Sequence, residues 1–181
     1  MTTIYEQVII GSGFGGIGMG IRLKQAGRHH FLILEKADSV GGTWRDENLP
    51  VPKGLILFSP WVDLTVTRDS HVFRAQRDPM LLPAGLQSCA NAYCGKTPHD
   101  HPYCSPLFAD FTDLPPVLIQ VGSDEILYDD AIELHKSLKR SNVVAELQVY
   151  DGMWHVFQLH CHQLPEATQA VQDAFRESYF W

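Results

Sequence analysis

The chain has 181 residues, 45% of them hydrophobic and 19% charged, a composition that can fill a core and a length that sets one domain or two very small ones. Lys and Arg number 14 against 21 Asp and Glu, leaving a formal net charge of −7. An acidic chain without a basic run points away from nucleic acid and from anionic membrane surfaces as partners.

Residues 7–10 read as a short buried strand running into glycines, and residues 14–26 as a helix stopped by Gly27. A second continuous apolar run at 31–34 is again strand-like, and 40–52 reads as loop. A third run at 54–58 is followed by an irregular stretch to residue 78. A helix is expected from Pro83 to Tyr93, then a proline-rich loop to residue 116. Strands are expected at 117–121 and 145–150, separated by a helix at 129–140 whose core face is Ile132, Leu134 and Leu138. An amphipathic helix over 165–175 closes the chain, with Ala167, Ala170, Val171, Ala174 and Phe175 at helical spacing. Strands separated by helices imply an α/β fold, a doubly wound sheet of about five mostly parallel strands. No apolar stretch approaches the roughly 18 residues that span a bilayer. Residues 1–10 carry an acid and no base, unlike a secretory signal, so the four cysteines are expected as reduced thiols in the cytoplasm.

Gly11, Gly13 and Gly16 fit G-x-G-x-x-G directly after the first strand, and Glu35 ends the second. Such glycines permit a tight turn, close approach of backbone to a pyrophosphate and close helix–strand packing, and the acid can accept hydrogen bonds from a ribose. Gly41, Gly42, Thr43, Trp44 and Arg45 follow. Residues 4–49 resemble the N-terminal FAD-binding segment of Baeyer–Villiger and flavin-containing monooxygenases. The resemblance implies that the Gly11 loop holds the FAD pyrophosphate and Glu35 the adenosine ribose, with Thr43 and Trp44 on the flavin-proximal side. No second glycine fingerprint for NADPH follows, and the F-x-G-x-x-x-H-x-x-x-W signature is missing. A flavin monooxygenase needs a nicotinamide to reduce its flavin.

From residue 53 the pattern changes. The blocks are Gly54-Leu-Ile-Leu-Phe-Ser-Pro-Trp-Val-Asp63, Val117-Leu-Ile-Gln-Val-Gly-Ser-Asp-Glu-Ile-Leu-Tyr-Asp-Asp130 and Tyr150-Asp-Gly-Met-Trp-His-Val-Phe157. An acid just past one strand and a histidine just past the next can meet at the C-terminal edge of a parallel sheet, where the acid orients the imidazole as general base. His155 is the base candidate. These blocks are similar to the C-terminal part of the hormone-sensitive-lipase group of α/β hydrolases. The resemblance places the triad acid at Glu125, where that group more often has Asp; Asp124 is the alternative, and Asp129 and Asp130 are expected to cap the following helix. It implies a carboxylic ester hydrolase acting on a small ester with no cofactor.

G-x-S-x-G occurs nowhere in the sequence, nor does an H-G-G-G oxyanion segment. Without them no acyl-enzyme forms and a tetrahedral intermediate is unsupported, so hydrolysis is expected to be impaired. Ser12, in a Gly-Ser-Gly turn, is a poor substitute for the nucleophile. The chain therefore reads as a Rossmann-like FAD-binding fragment over 1–49 joined to a C-terminal α/β-hydrolase portion over 53–181, with one merged sheet as the expected topology and two poorly covered fragments as the alternative. The expected strand order is 31–34, 7–10, 54–58, 117–121, 145–150. The second reading is a binding module that retains FAD, a vestigial cofactor, or another adenine nucleotide through residues 11–16 and Glu35, and a chain without selected function is the third. The groups His99, His101, Cys104 and His160, Cys161, His162 lack the spacing of paired metal ligands, so no metal is expected.

Overall fold

The computed structural model describes residues 52–177, together with the strand backbone at 7–10 and 31–34. Five strands form one sheet: β1 (Gln7–Ile10), β2 (Phe31–Leu34), β3 (Leu55–Phe58), β4 (Val117–Gly122) and β5 (Ala145–Tyr150). Their order is β2-β1-β3-β4-β5, the order expected from the sequence, and every neighbouring pair is parallel. β1 joins β3 through Val8↔Leu55 and Ile9↔Ile56. The segments linking β1, β2 and β3, and with them the expected helix at 14–26 and loop at 40–51, lie outside the described residues.

β4 is buried along its whole length. A strand covered on both faces has no solvent-facing side, which is why it is apolar except for Gln120, whose amide finds its partners inside. Side chains alternate across it. Val117, Ile119 and Val121 join Leu55 in one core with Ala131, Leu134 and Leu138 of α3 (Tyr128–Arg140). On the opposite face Gln120 Nε2 donates to the Ala170 carbonyl of α4 (Pro165–Glu177) at 2.7 Å. Helices thus cover both faces of β4.

The core face of α3 differs from the expected one by a residue. Ala131, Leu134 and Leu138 are buried, whereas Ile132 is only half-buried. The helix starts at Tyr128, and its buried line runs on from Leu127 at spacings of three and four, which selects Ala131 despite its smaller side chain. α4 buries Ala167, Ala170, Val171 and Ala174; the first three pack around Phe157, which is fully buried, and Phe175 packs against the same cluster. The connection from β3 to β4 holds α1 (Ser70–Phe73), in the stretch expected to be irregular, and α2 (Pro83–Cys94). Pro83 opens α2, where its missing N–H has no helical partner to lose.

Candidate active site

β4 and β5 end level with one another, Gly122 opposite Tyr150. Glu125 lies three residues past one end and His155 five past the other, so two short loops deliver both side chains to the same edge. His155 Nδ1 and Glu125 Oε2 are 3.1 Å apart. Glu125 Oε1 accepts from the Ser59 hydroxyl at 2.8 Å and from the Gly122 amide at 2.6 Å. The carboxylate is fully buried and the imidazole 18% exposed. Facing a carboxylate that only accepts, Nδ1 would carry the ring proton and leave Nε2 its lone pair. That is the arrangement of a general base held by an acid. Asp124, the alternative acid, points elsewhere and pairs with Arg77 Nη1 at 3.4 Å.

Two glycines let the loops close. A Cβ on Gly122 would stand 2.1 Å from the Met153 carbonyl oxygen, so the histidine loop crosses β4 where only hydrogen fits. Gly152 has φ +68°, a left-handed conformation that glycine adopts without penalty. The loops are stitched by Ser123 N to the Tyr150 carbonyl and Asp124 N to the Met153 carbonyl, both 2.9 Å. Ser59 and Val156 each have φ 48°, unfavourable for serine and more so for a β-branched valine. Val156 N donates to Ser59 Oγ at 2.9 Å.

A strap over residues 70–78 frames the acid loop from outside. Ser70 Oγ donates to the Ile126 carbonyl at 2.7 Å and accepts from Asp129 N at 3.1 Å. Arg74 donates to the Ser123 carbonyl and lies 4.0 Å above the Tyr128 ring. Asp78 Oδ2 accepts from Ile126 N at 3.0 Å. Asp129 and Asp130 do not cap α3 as expected; its N-cap is Leu127, without a side-chain bond. They face the strap instead. Asp129 Oδ2 accepts from Ser70 N at 2.8 Å. Asp130 Oδ1 accepts from the Val62 and Asp63 amides, and its Oδ2 meets His71 Nε2 at 2.8 Å, with both side chains buried. Burial pushes the Asp130 carboxyl above the usual aspartate range, while His71 and the two amides pull it back.

Ser59 and the strap were not singled out from the sequence. Ser59 had a usable signal, since it directly follows a strand at the same edge. The strap had none, because its partners lie far away in the chain.

Gly11, Gly13, Gly16, Glu35, Thr43, Trp44 and Ser12 lie outside the described residues. The strands before two of them do not: Ile10 and Leu34 pair level at the ends of β1 and β2. Among the described residues no group of three or more His, Cys, Asp or Glu could hold a metal ion, and no helix is long and apolar enough to cross a membrane. Cys94 and Cys104 share a buried cluster, and the Cys94 thiol is pushed up to about 11 by burial first and by Cys104 second.

The sequence pattern of the family described as alpha/beta hydrolase fold matches residues 37–159, reaching upstream of the join expected at 49–53. An acetyl-hydrolase of Streptomyces hygroscopicus is 37% identical over 130 residues, 72% of this chain and 44% of that protein. The crystal structure of an esterase/lipase from an uncultured bacterium is 37% identical, covers 91% of this chain and 59% of the other, and has a TM-score of 0.71. A Baeyer–Villiger monooxygenase of Streptomyces coelicolor is 52% identical over 64 residues, 31% of this chain and 12% of that protein. The chain spans less than half the length of the acetyl-hydrolase it matches.

Proposed function

The chain belongs to the α/β hydrolase fold family, and from that premise we propose that residues 53–181 are the acid–base portion of a carboxylic ester hydrolase, with His155 as general base and Glu125 as the acid that orients it. The observation that carries this is the Glu125 carboxylate, which takes three donors and aims one oxygen at His155 Nδ1 at 3.1 Å. In the complete reaction a serine would attack the ester carbonyl, and Nε2 of His155 would take the serine proton and return it to the departing alcohol. The sequence holds no G-x-S-x-G and no H-G-G-G, so the chain as it stands is an impaired catalyst.

A p-nitrophenyl acetate assay tests the reading. The expected result is slow hydrolysis that depends on His155 and shows no acyl-enzyme burst. Equal rates for the chain and His155→Ala would remove His155 as the base. A burst, or labelling by a fluorophosphonate probe, would overturn the impairment.

A second reading is favoured by the monooxygenase similarity: residues 1–49 form a Rossmann-like unit derived from an FAD-binding segment, fused to the hydrolase portion. The level pairing of Ile10 with Leu34 supports it, because a βαβ unit presents its glycine loop and its ribose-binding acid just past two such ends. Gly11, Gly13, Gly16 and Glu35 would hold the dinucleotide, and Thr43 and Trp44 would lie beside the flavin. FAD added to the purified chain should quench flavin fluorescence in wild type and not in Gly13→Glu. No quenching in wild type leaves the segment as a sheet-building piece alone.

A further inference from the structure

We propose that Ser59 is the positioning residue of the acid–base pair, a single hydroxyl that locks the acid loop and the histidine loop to the end of β3. The inference rests on the reading of Glu125 and His155 given above, and it extends that reading to a residue outside the triad resemblance.

A hydroxyl has one proton to give and two lone pairs. Ser59 spends its proton on Glu125 Oε1 at 2.8 Å and accepts the Val156 amide at 2.9 Å. Its own amide donates to the Gln120 carbonyl at 2.8 Å, continuing the β3–β4 ladder one residue past Phe58. Ser59 is 3% exposed, so water does not supply these partners. One side chain therefore ties together the ends of three adjacent strands, at the point where the candidate acid and base meet.

The backbone at both ends of the Ser59–Val156 bond points the same way. Both residues stand at φ 48°. Glycine would occupy Ser59's conformation with less strain, and an unbranched residue would occupy Val156's more readily. The hydroxyl is what the serine adds. Without it, Glu125 Oε1 keeps only the Gly122 amide and the Val156 amide is orphaned beside His155. The carboxylate can then rotate, and the strained valine that follows the imidazole relaxes, carrying the ring away from Oε2.

The experiment uses the full chain labelled with 15N-histidine. Long-range 1H–15N spectra distinguish the Nδ1–H tautomer from the Nε2–H tautomer, and the His155 signals are assigned by their loss in His155→Gln. Wild type is expected to show the Nδ1–H form at His155. Ser59→Gly suits the backbone while deleting the hydroxyl. It should shift His155 towards the Nε2–H form and speed Val156 amide exchange about tenfold, the equilibrium factor for one hydrogen bond. Ser59→Ala should do the same. A merely structural serine would alter the melting temperature and leave the tautomer in place. Retention of the Nδ1–H form in a folded Ser59→Gly overturns the assignment. Absence of that form in wild type removes the Glu125–His155 pair itself, and the two failures are thereby told apart.

Discussion

Gly122→Ala is the most direct test of how the acid loop and histidine loop depend on each other. The added Cβ would stand 2.1 Å from the Met153 carbonyl oxygen and 2.4 Å from its carbonyl carbon. Both atoms are backbone, so no rotamer change makes room. Displacing the 153 peptide strains the Asp124 N–Met153 O bond of 2.9 Å, and displacing residue 122 strains the Gly122 N–Glu125 Oε1 bond of 2.6 Å. Overpacking costs about 1–3 kcal/mol, and two weakened hydrogen bonds add about 1 kcal/mol each. The expected destabilisation is about 3–5 kcal/mol, measured as a lower urea midpoint at unchanged slope. Gly85→Ala is the control. Nothing lies within 4 Å of a Cβ there, and the site is exposed inside α2, so that variant should gain about 0.5–1 kcal/mol. A loss below about 1 kcal/mol for Gly122→Ala would refute the close approach on which the geometry of the pair depends.

Glu125→Ala strips the acceptor from three donors at a fully buried position and should cost about 3 kcal/mol or more, whereas Glu125→Gln keeps one acceptor oxygen and should cost less; urea unfolding of both variants checks the ranking. Asp130 sets a pH dependence. Its folded carboxyl is held above the usual aspartate range, chiefly by burial, so the folded chain keeps a proton that the unfolded chain has released. Stability should fall as pH rises from the unfolded aspartate range to the folded value, and Asp130→Asn should flatten that limb of the stability–pH curve. Thiol titration with a disulfide reagent near neutral pH should find Cys89 reacting fast, since it alone among the four is exposed; Cys94, pushed up to about 11, should react only after unfolding.

The strands were legible because burial on both faces leaves a largely apolar run, as in β4 with Gln120 its one polar side chain, and because glycine, proline and acidic turns mark the ends. Glu125 and His155 were legible for a related reason: each stands a few residues past a strand end, and parallel strands end on one edge. The helix faces were read less well. The sequence favours Ile132 over Ala131 because bulk is visible in it while the starting phase of a helix is not. Asp129 and Asp130 sit where caps are common, so the local pattern favoured capping, and their true partners lie 59 to 68 residues away. Ser59 is separated from Glu125 by 66 residues and from Val156 by 97. Such bonds leave no periodicity behind. They follow only from the order of strands that brings the loops together.

That order also decides which part of the chain the pair depends on. Among the described residues, the groups that hold it, Ser59, Gly122, Gly152 and Val156, lie between β3 and the start of the turn at Phe157, and the strap that braces it runs over residues 70–78. β1 joins β3 through the backbone register Val8↔Leu55 and Ile9↔Ile56, on the flank of β3 away from β4. β1 and β2 complete the sheet on the side of β3 away from the acid–base edge. If the proposed FAD-binding unit touches the pair through β3 alone, FAD held at residues 11–16 should leave the His155 tautomer unchanged. A His155 spectrum that shifts with FAD would mean that the first 49 residues reach the acid–base edge and that the two portions act as one site.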